Sequence, residues 1–172
     1  MSFKLNDQKP VVFLLPLVLP AASAWADVST TGSVTNSPPV GGGIFHSTQV
    51  VVGDADASSP SLLGTMQIDG GTNLGLDRLI IGDETSYLGD VRVTGAGTVL
   101  DLDSSFTSNP ALQVGHEGTG YLTITQQAAV FVSDTNGHLV IGRDATAAGF
   151  VHVDGLLTQL TFGEDLVVGS QG

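Results

Sequence analysis

Gly89-Asp90-Val91-Arg92-Val93-Thr94-Gly95-Ala96-Gly97 is the stretch that decides the fold. Val91 and Val93 flank a polar Arg92, so successive side chains alternate between a dry and a wet face, the mark of a half-buried strand. Thr94-Gly95-Ala96-Gly97 then reads as a tight turn, where glycine takes positive φ without steric penalty. Val99-Leu100-Asp101-Leu102 follows as a second short strand.

The same unit recurs along the chain. The pattern Gly, any residue, apolar, polar, apolar appears at Gly64-Thr65-Met66-Gln67-Ile68, Gly120-Tyr121-Leu122-Thr123-Ile124 and Gly149-Phe150-Val151-His152-Val153. A turn follows as Asp69-Gly70-Gly71 or Asp154-Gly155. The third copy has Thr125-Gln126-Gln127 there, which predicts a turn of different build. Further short apolar stretches, Val130-Phe131-Val132 and Leu157-Thr158-Gln159-Leu160, close the later units.

A second signature precedes each of these strands. It is a short apolar run ending in glycine: Val50-Val51-Val52-Gly53, Ile80-Ile81-Gly82, Gln113-Val114-Gly115, Val140-Ile141-Gly142 and Val167-Val168-Gly169. Leu79, Leu112, Leu139 and Leu166 precede the last four. The anchor glycines lie 29, 33, 27 and 27 residues apart. The loop before the next anchor varies in length, as at residues 103–110, and length variation at one corner is what repeat arrays tolerate.

Three short strands and three turns per 27–33 residues make one coil of a solenoid. A lone coil cannot bury its apolar face, whereas coils stacked about 4.8 Å apart pair every strand with its equivalent. The expectation is an all-β, right-handed parallel β-helix of about four coils, the handedness following the rule for parallel crossovers. Leu79 should lie over Leu112, and Val91, Leu122 and Val151 should form one ladder. A β-propeller needs four strands and about 40–50 residues per blade, more than these units hold. Leu166-Val167-Val168-Gly169 opens a further unit, and no capping element follows it, so the chain reads as part of a longer protein.

Residues 1–26 read as an address. Lys4 and Lys9 lie in a polar start, residues 11–19 (VVFLLPLVL) form an apolar core, and Ala24-Trp25-Ala26 is an A-x-A cleavage site. That order is a Sec signal peptide, and the apolar run is too short to span a bilayer, which takes about 20 residues. The expected organisation is therefore a signal peptide at 1–26, an extended segment at 27–48 and solenoid repeats at 49–172.

Composition narrows the function. The 172 residues include 23 Gly, only 13% charged residues and no Cys, and carry a formal net charge of −12. Beyond the leader the only cations besides histidine are Arg78, Arg92 and Arg143. This balance repels phosphate backbones, which argues against nucleic-acid partners and against docking on anionic lipid. The absence of Cys excludes disulfides, thiolate metal sites and Cys nucleophiles.

The order Ser29-Thr30-Thr31-Gly32-Ser33-Val34-Thr35, Ser37-Pro38-Pro39, Val51-Val52-Gly53-Asp54 and Met66-Gln67-Ile68-Asp69-Gly70-Gly71 resembles the start of exported bacterial repeat proteins of the autotransporter-passenger type, often ending in a PEP-CTERM sorting signal. Val91-Arg92-Val93-Thr94-Gly95-Ala96-Gly97-Thr98 is similar to that family's V-x-V-x-G-x-G-[ST] unit. The resemblance covers nearly all of residues 27–172. It implies a secreted, cell-surface or outer-membrane-associated structural or adhesive module, anchored through a C-terminal region absent from this sequence.

Candidate chemistry is sparse, and the sequence assigns no catalytic, cofactor-binding or metal-ligating residue. His46, His116, His138 and His152 are scattered. His152 takes the outward position that Arg92 and Thr123 hold in other coils, and His116-Glu117 reads as part of a turn. Asp54, Asp56, Asp83, Glu84, Glu117 and Asp144 follow successive anchors and stack on one edge, which reads as a hydrated acidic rim; calcium is the alternative. Asp101 and Asp103 invite comparison with the carboxylate pairs of polysaccharide-cleaving β-helices, but Phe106 is the only aromatic neighbour that the sequence offers them. The expectation is a non-enzymatic surface module contacting glycans, other cells or itself, with a carbohydrate-active enzyme or polysaccharide-binding module as the alternative.

Overall fold

The computed structural model describes residues 27–36, 43–55, 61–103, 110–133 and 138–169, with the backbone alone at 43–48. Residues 1–26, and with them the signal-peptide reading, lie outside these residues. The described chain contains no helix and fourteen strands. They are β1 (Asp27–Gly32), β2 (Val34–Thr35), β3 (Gly43–Val52), β4 (Leu63–Asp69), β5 (Asn73–Ile81), β6 (Leu88–Thr94), β7 (Val99–Leu102), β8 (Leu112–Val114), β9 (Thr119–Thr125), β10 (Ala129–Val132), β11 (Leu139–Ile141), β12 (Ala148–Asp154), β13 (Gln159–Phe162) and β14 (Leu166–Val168).

These strands form a parallel β-solenoid of about four turns. One face is the five-stranded sheet β1-β4-β6-β9-β12. The other two faces belong to a nine-stranded sheet, because β5 runs unbroken from one face to the next. Its first half pairs with β7, and its second half pairs with β8. In later coils separate strands carry the two faces, β7 and β8, then β10 and β11. Asp77 and Arg78, which sit at the unbroken corner, are buried.

The ladders run as the repeat predicts. Val91 pairs with Leu122 and Leu122 with Val151, all in parallel register. Leu79 pairs with Leu112. Inward ladders from the three faces, such as Ile68-Val93-Ile124, Leu76-Leu102-Val132 and Ile81-Val114, meet in one apolar core. Each of these side chains is buried, and burying one Leu- or Ile-sized side chain is worth about 1.5–3 kcal/mol relative to exposure.

The anchor glycines set the corner between faces. Gly53, Gly82, Gly115, Gly142 and Gly169 all have positive φ, from 66° to 81°. A Cβ on Gly82 would lie 2.4 Å from the carbonyl oxygen of Thr119 in the next coil. Both the turn and the close approach therefore demand glycine.

The turn of the third copy differs from expectation. Gln126 and Gln127 have φ of 55° and 67°, which matches Gly70 and Gly71 at 64° and 80°. Both turns close with the same backbone bond, Thr72 N to Asp69 O and Ala128 N to Thr125 O. The build is thus conserved and the side chains are carried in the left-handed region, at roughly 1–2 kcal/mol per residue. Turns in the second and fourth coils are one residue longer, and Thr98 and Thr158 accept hydrogen bonds there from the amides of Gly71 and Gln127.

Within residues 27–48 the described backbone lies mainly in strands. β1 runs antiparallel along β4, pairing Val28 with Ile68 and Thr31 with Thr65, and β2 runs antiparallel to the end of β3. A reversed strand thus covers the first coil.

Candidate binding face and charged corner

Alternation along β4, β6, β9 and β12 turns every second side chain outward, and the parallel register stacks those side chains into rows. One row is Thr31, Thr65, Asp90, Tyr121, Phe150. The next is Ser29, Gln67, Arg92, Thr123, His152, and Thr94, Thr125 and Asp154 follow. The face is polar at its N-terminal side and aromatic at its C-terminal side.

Neighbours within the rows hold one another. The hydroxyls of Thr31 and Thr65 are 2.6 Å apart, and the Thr125 hydroxyl donates to that of Thr94 at 3.1 Å. Gln67 Nε2 donates to Asp69 Oδ2 at 2.6 Å. Arg92 donates to Asp90 Oδ2 from Nη2 at 2.8 Å and from Nε at 3.2 Å. That hydrogen bond to Asp90 raises the guanidinium pKa further. With the Arg92 side chain 62% exposed, the pair contributes about 0–1 kcal/mol to stability. Its main effect is to lay the guanidinium along the sheet. Two shallow depressions of about 310 and 250 Å³ flank Gln67 and Arg92. Tyr121 and Phe150 stack with ring centroids 4.8 Å apart and planes 10° apart.

The residues after the anchor glycines form a second constellation. Backbone bonds from Asp83 N to Gly53 O, His116 N to Gly82 O and Arg143 N to Gly115 O set them one above another. His116 Nδ1 lies 2.5 Å from Asp83 Oδ1, and Arg143 Nη1 lies 2.8 Å from His116 Nε2. Arginine can only donate, so Nε2 is the acceptor and the ring proton sits on Nδ1, facing Asp83. An Asp–His pair of this kind orients the base in many hydrolases. Here the nitrogen that would take a proton is bonded to Arg143 instead.

Arg78 lies behind this corner. Its Nε donates to Pro110 O at 3.2 Å and its Nη1 to Gln49 Oε1 at 3.1 Å. Burial lowers its pKa, with nearby Arg143 adding to the effect and Asp83 and Asp77 opposing it. Gln113 is fully buried. Its Oε1 accepts from Arg143 at 3.4 Å, while its Nε2 has no partner among the described residues.

The other sequence candidates fall elsewhere. His138 lies 3.5 Å from Glu164 and 3.9 Å from Asp165. Asp101 accepts a hydrogen bond from Ser133 at 2.6 Å, and Asp103 is exposed at the end of β7. Register places Phe131 directly beside Asp101. The aromatic neighbour that the spacing offered, Phe106, lies outside the described residues, as do Asp56 and the side chain of His46. The anchor rim is mixed rather than acidic, since His116 and Arg143 continue the row begun by Asp54 and Asp83. Among the described residues no three His, Asp or Glu side chains converge as a metal site would require, and no helix is long and apolar enough to cross a membrane.

Two features escaped the sequence reading, the Tyr121–Phe150 stack and the Asp83–His116–Arg143 ladder. Aligning the coils on their glycines reveals both, because each set occupies one repeat position. A scan against protein-family models and searches of curated proteins and solved structures each return no match.

Proposed function

We propose that this chain is a non-enzymatic structural and adhesive repeat module of an exported protein, displayed at the cell surface or outer membrane and kin to autotransporter passengers or PEP-CTERM-associated proteins. The leader-like first 26 residues, the formal charge of −12 and the absence of Cys support export and argue against nucleic-acid partners.

The observation that carries the reading is the outer face of the five-stranded sheet. Its rows of hydroxyl, amide and guanidinium groups repeat at the rung spacing of about 4.8 Å. Gln67 and Arg92 stand between two depressions. Fixed donors and acceptors on a flat, repetitive surface suit a hydroxyl-rich extended partner such as a glycan chain, which a row of rungs contacts many times at low affinity per contact.

A glycan array probed with the chain, beside the double variant Gln67→Ala/Arg92→Ala, tests this. Binding to at least one polysaccharide class, lost about tenfold or more in the variant, is the expected result. Equal binding by both proteins would remove this face from the proposal. Release of reducing ends from a bound polysaccharide would replace the adhesive reading with an enzymatic one.

A further inference from the structure

The row that follows the anchor glycines ties three successive coils together through one imidazole. Main-chain bonds from His116 N to Gly82 O and from Asp144 N to His116 O stack the row. His116 Nδ1 meets Asp83 Oδ1 of the coil before, and its Nε2 meets Arg143 Nη1 of the coil after. The His116 and Asp83 side chains are 19% and 22% exposed, so solvent protons reach them. A guanidinium offers no acceptor, so the bond to Arg143 exists only while Nε2 carries a lone pair. This arrangement requires the neutral ring with its proton on Nδ1.

Arg143 holds more than the ring. Its Nη1 also donates to Oε1 of Gln113. Gln113 stands between Ile80 and Val140 in register, yet it is fully buried. Its Nε2 has no partner among the described residues. Arg143 therefore supplies a donor to an amide that is only half satisfied, and withdrawing it leaves that amide to water.

Charged groups surround the imidazole from each neighbouring element. The second coil brings Asp83 and Glu84, the third Glu117, and the fourth Arg143 and Asp144. Arg78 and Asp77 lie behind, where burial and then Arg143 lower the Arg78 pKa. A proton added at Nε2 acts oppositely at the two ends of the ring. Toward Asp83 the Nδ1–H bond persists and becomes an ion pair. Toward Arg143 two donors of like charge face each other across 2.8 Å, where no hydrogen bond is possible.

We propose that His116 is a proton-operated latch. Neutral, it bridges Asp83 and Arg143; protonated at Nε2, it keeps Asp83 and releases Arg143, which uncovers Gln113. Histidine is the side chain whose charge ordinarily changes between pH 5 and 8, and the three latch residues belong to successive coils. Acidification therefore loosens the outer seam between the third and fourth coils without breaking the ladders beneath it.

NMR of the full chain from pH 8 to pH 5 tests the latch, through the ring nitrogens of His116 and the contacts between Arg143 and the Gln113 side-chain amide. The expected result at pH 8 is a ring protonated on Nδ1 alone, with those contacts present. On acidification both nitrogens carry protons and the Arg143–Gln113 contacts are lost in the same step, while β8 and β11 stay paired. In His116→Gln the amide oxygen accepts from Arg143 but does not titrate, so the contacts should persist across the range. A ring protonated on Nε2 alone at pH 8 overturns the proposal, as does a ring still neutral at pH 5. Contacts that survive protonation, or that are lost equally in His116→Gln, overturn it too.

Discussion

The first and last described coils differ at their outer edges. At the first coil, β1 lies antiparallel on β4, and Val28, Met66 and Ile68 are buried beneath it. At the last, β12 has no outer partner among the described residues, and Val151, Val153, Leu160 and Phe162 lose the cover that their equivalents enjoy. Parallel stacking propagates a core but cannot end it, because every rung leaves an edge that calls for another. A strand of reversed direction ends it, satisfying the edge without offering a parallel continuation.

The contrast predicts graded responses along the stack. The largest effect belongs to Gly89→Val, whose Cβ would meet Val52 O at 2.2 Å and Gly82 N at 2.7 Å, both backbone atoms. Urea unfolding should show a loss of at least about 3 kcal/mol. Gly142→Ala, at the equivalent of the anchor position in the open rung, should lose only about 1 kcal/mol for its positive φ. Equal losses at the two sites would break the comparison.

The next effect compares one ladder at two heights. Val93→Ala removes two methyl groups from a site of zero exposure and should cost about 2 kcal/mol. Val153→Ala, at 43% exposure, should cost less than about 1 kcal/mol by the same reasoning. Denaturant midpoints for the pair are the measurement.

Two smaller changes should stabilise. Gln113→Val removes the unpartnered Nε2 from a position flanked in register by Ile80 and Val140, with an expected gain of about 1 kcal/mol. Gln127→Gly relieves a left-handed side chain, for a gain of about 1 kcal/mol offset in part by unfolded-state entropy. Arg92→Ala should shift stability by less than about 0.5 kcal/mol, which makes it a clean probe of the outer face.

Much of this architecture was legible because the rungs repeat the same physical demand. Alternation at Val91, Arg92 and Val93 announced a two-faced strand, and recurring glycines marked where coils touch. Other features were hidden for definite reasons. The reversed strand at Asp27–Gly32 is used once, so no periodicity encodes it. Gln126 and Gln127 occupy a glycine conformation that their side chains do not announce. The unbroken corner at Asp77 and Arg78 depends on Gln49 and Pro110, which are distant in sequence. The Asp83–His116–Arg143 ladder and the Tyr121–Phe150 stack emerge only when coils are read across rather than along.

Everything rests on equivalent side chains standing one above another in parallel register. Methyl-labelled NMR tests this directly. The account predicts strong cross-peaks between Val91 and Leu122 and between Leu122 and Val151, none between Val91 and Val151, and no Hα–Hα contacts of antiparallel pairing between β6 and β9. Hα–Hα contacts across that pair, or methyl contacts joining Val91 to residues outside the ladder in place of Leu122, would contradict it.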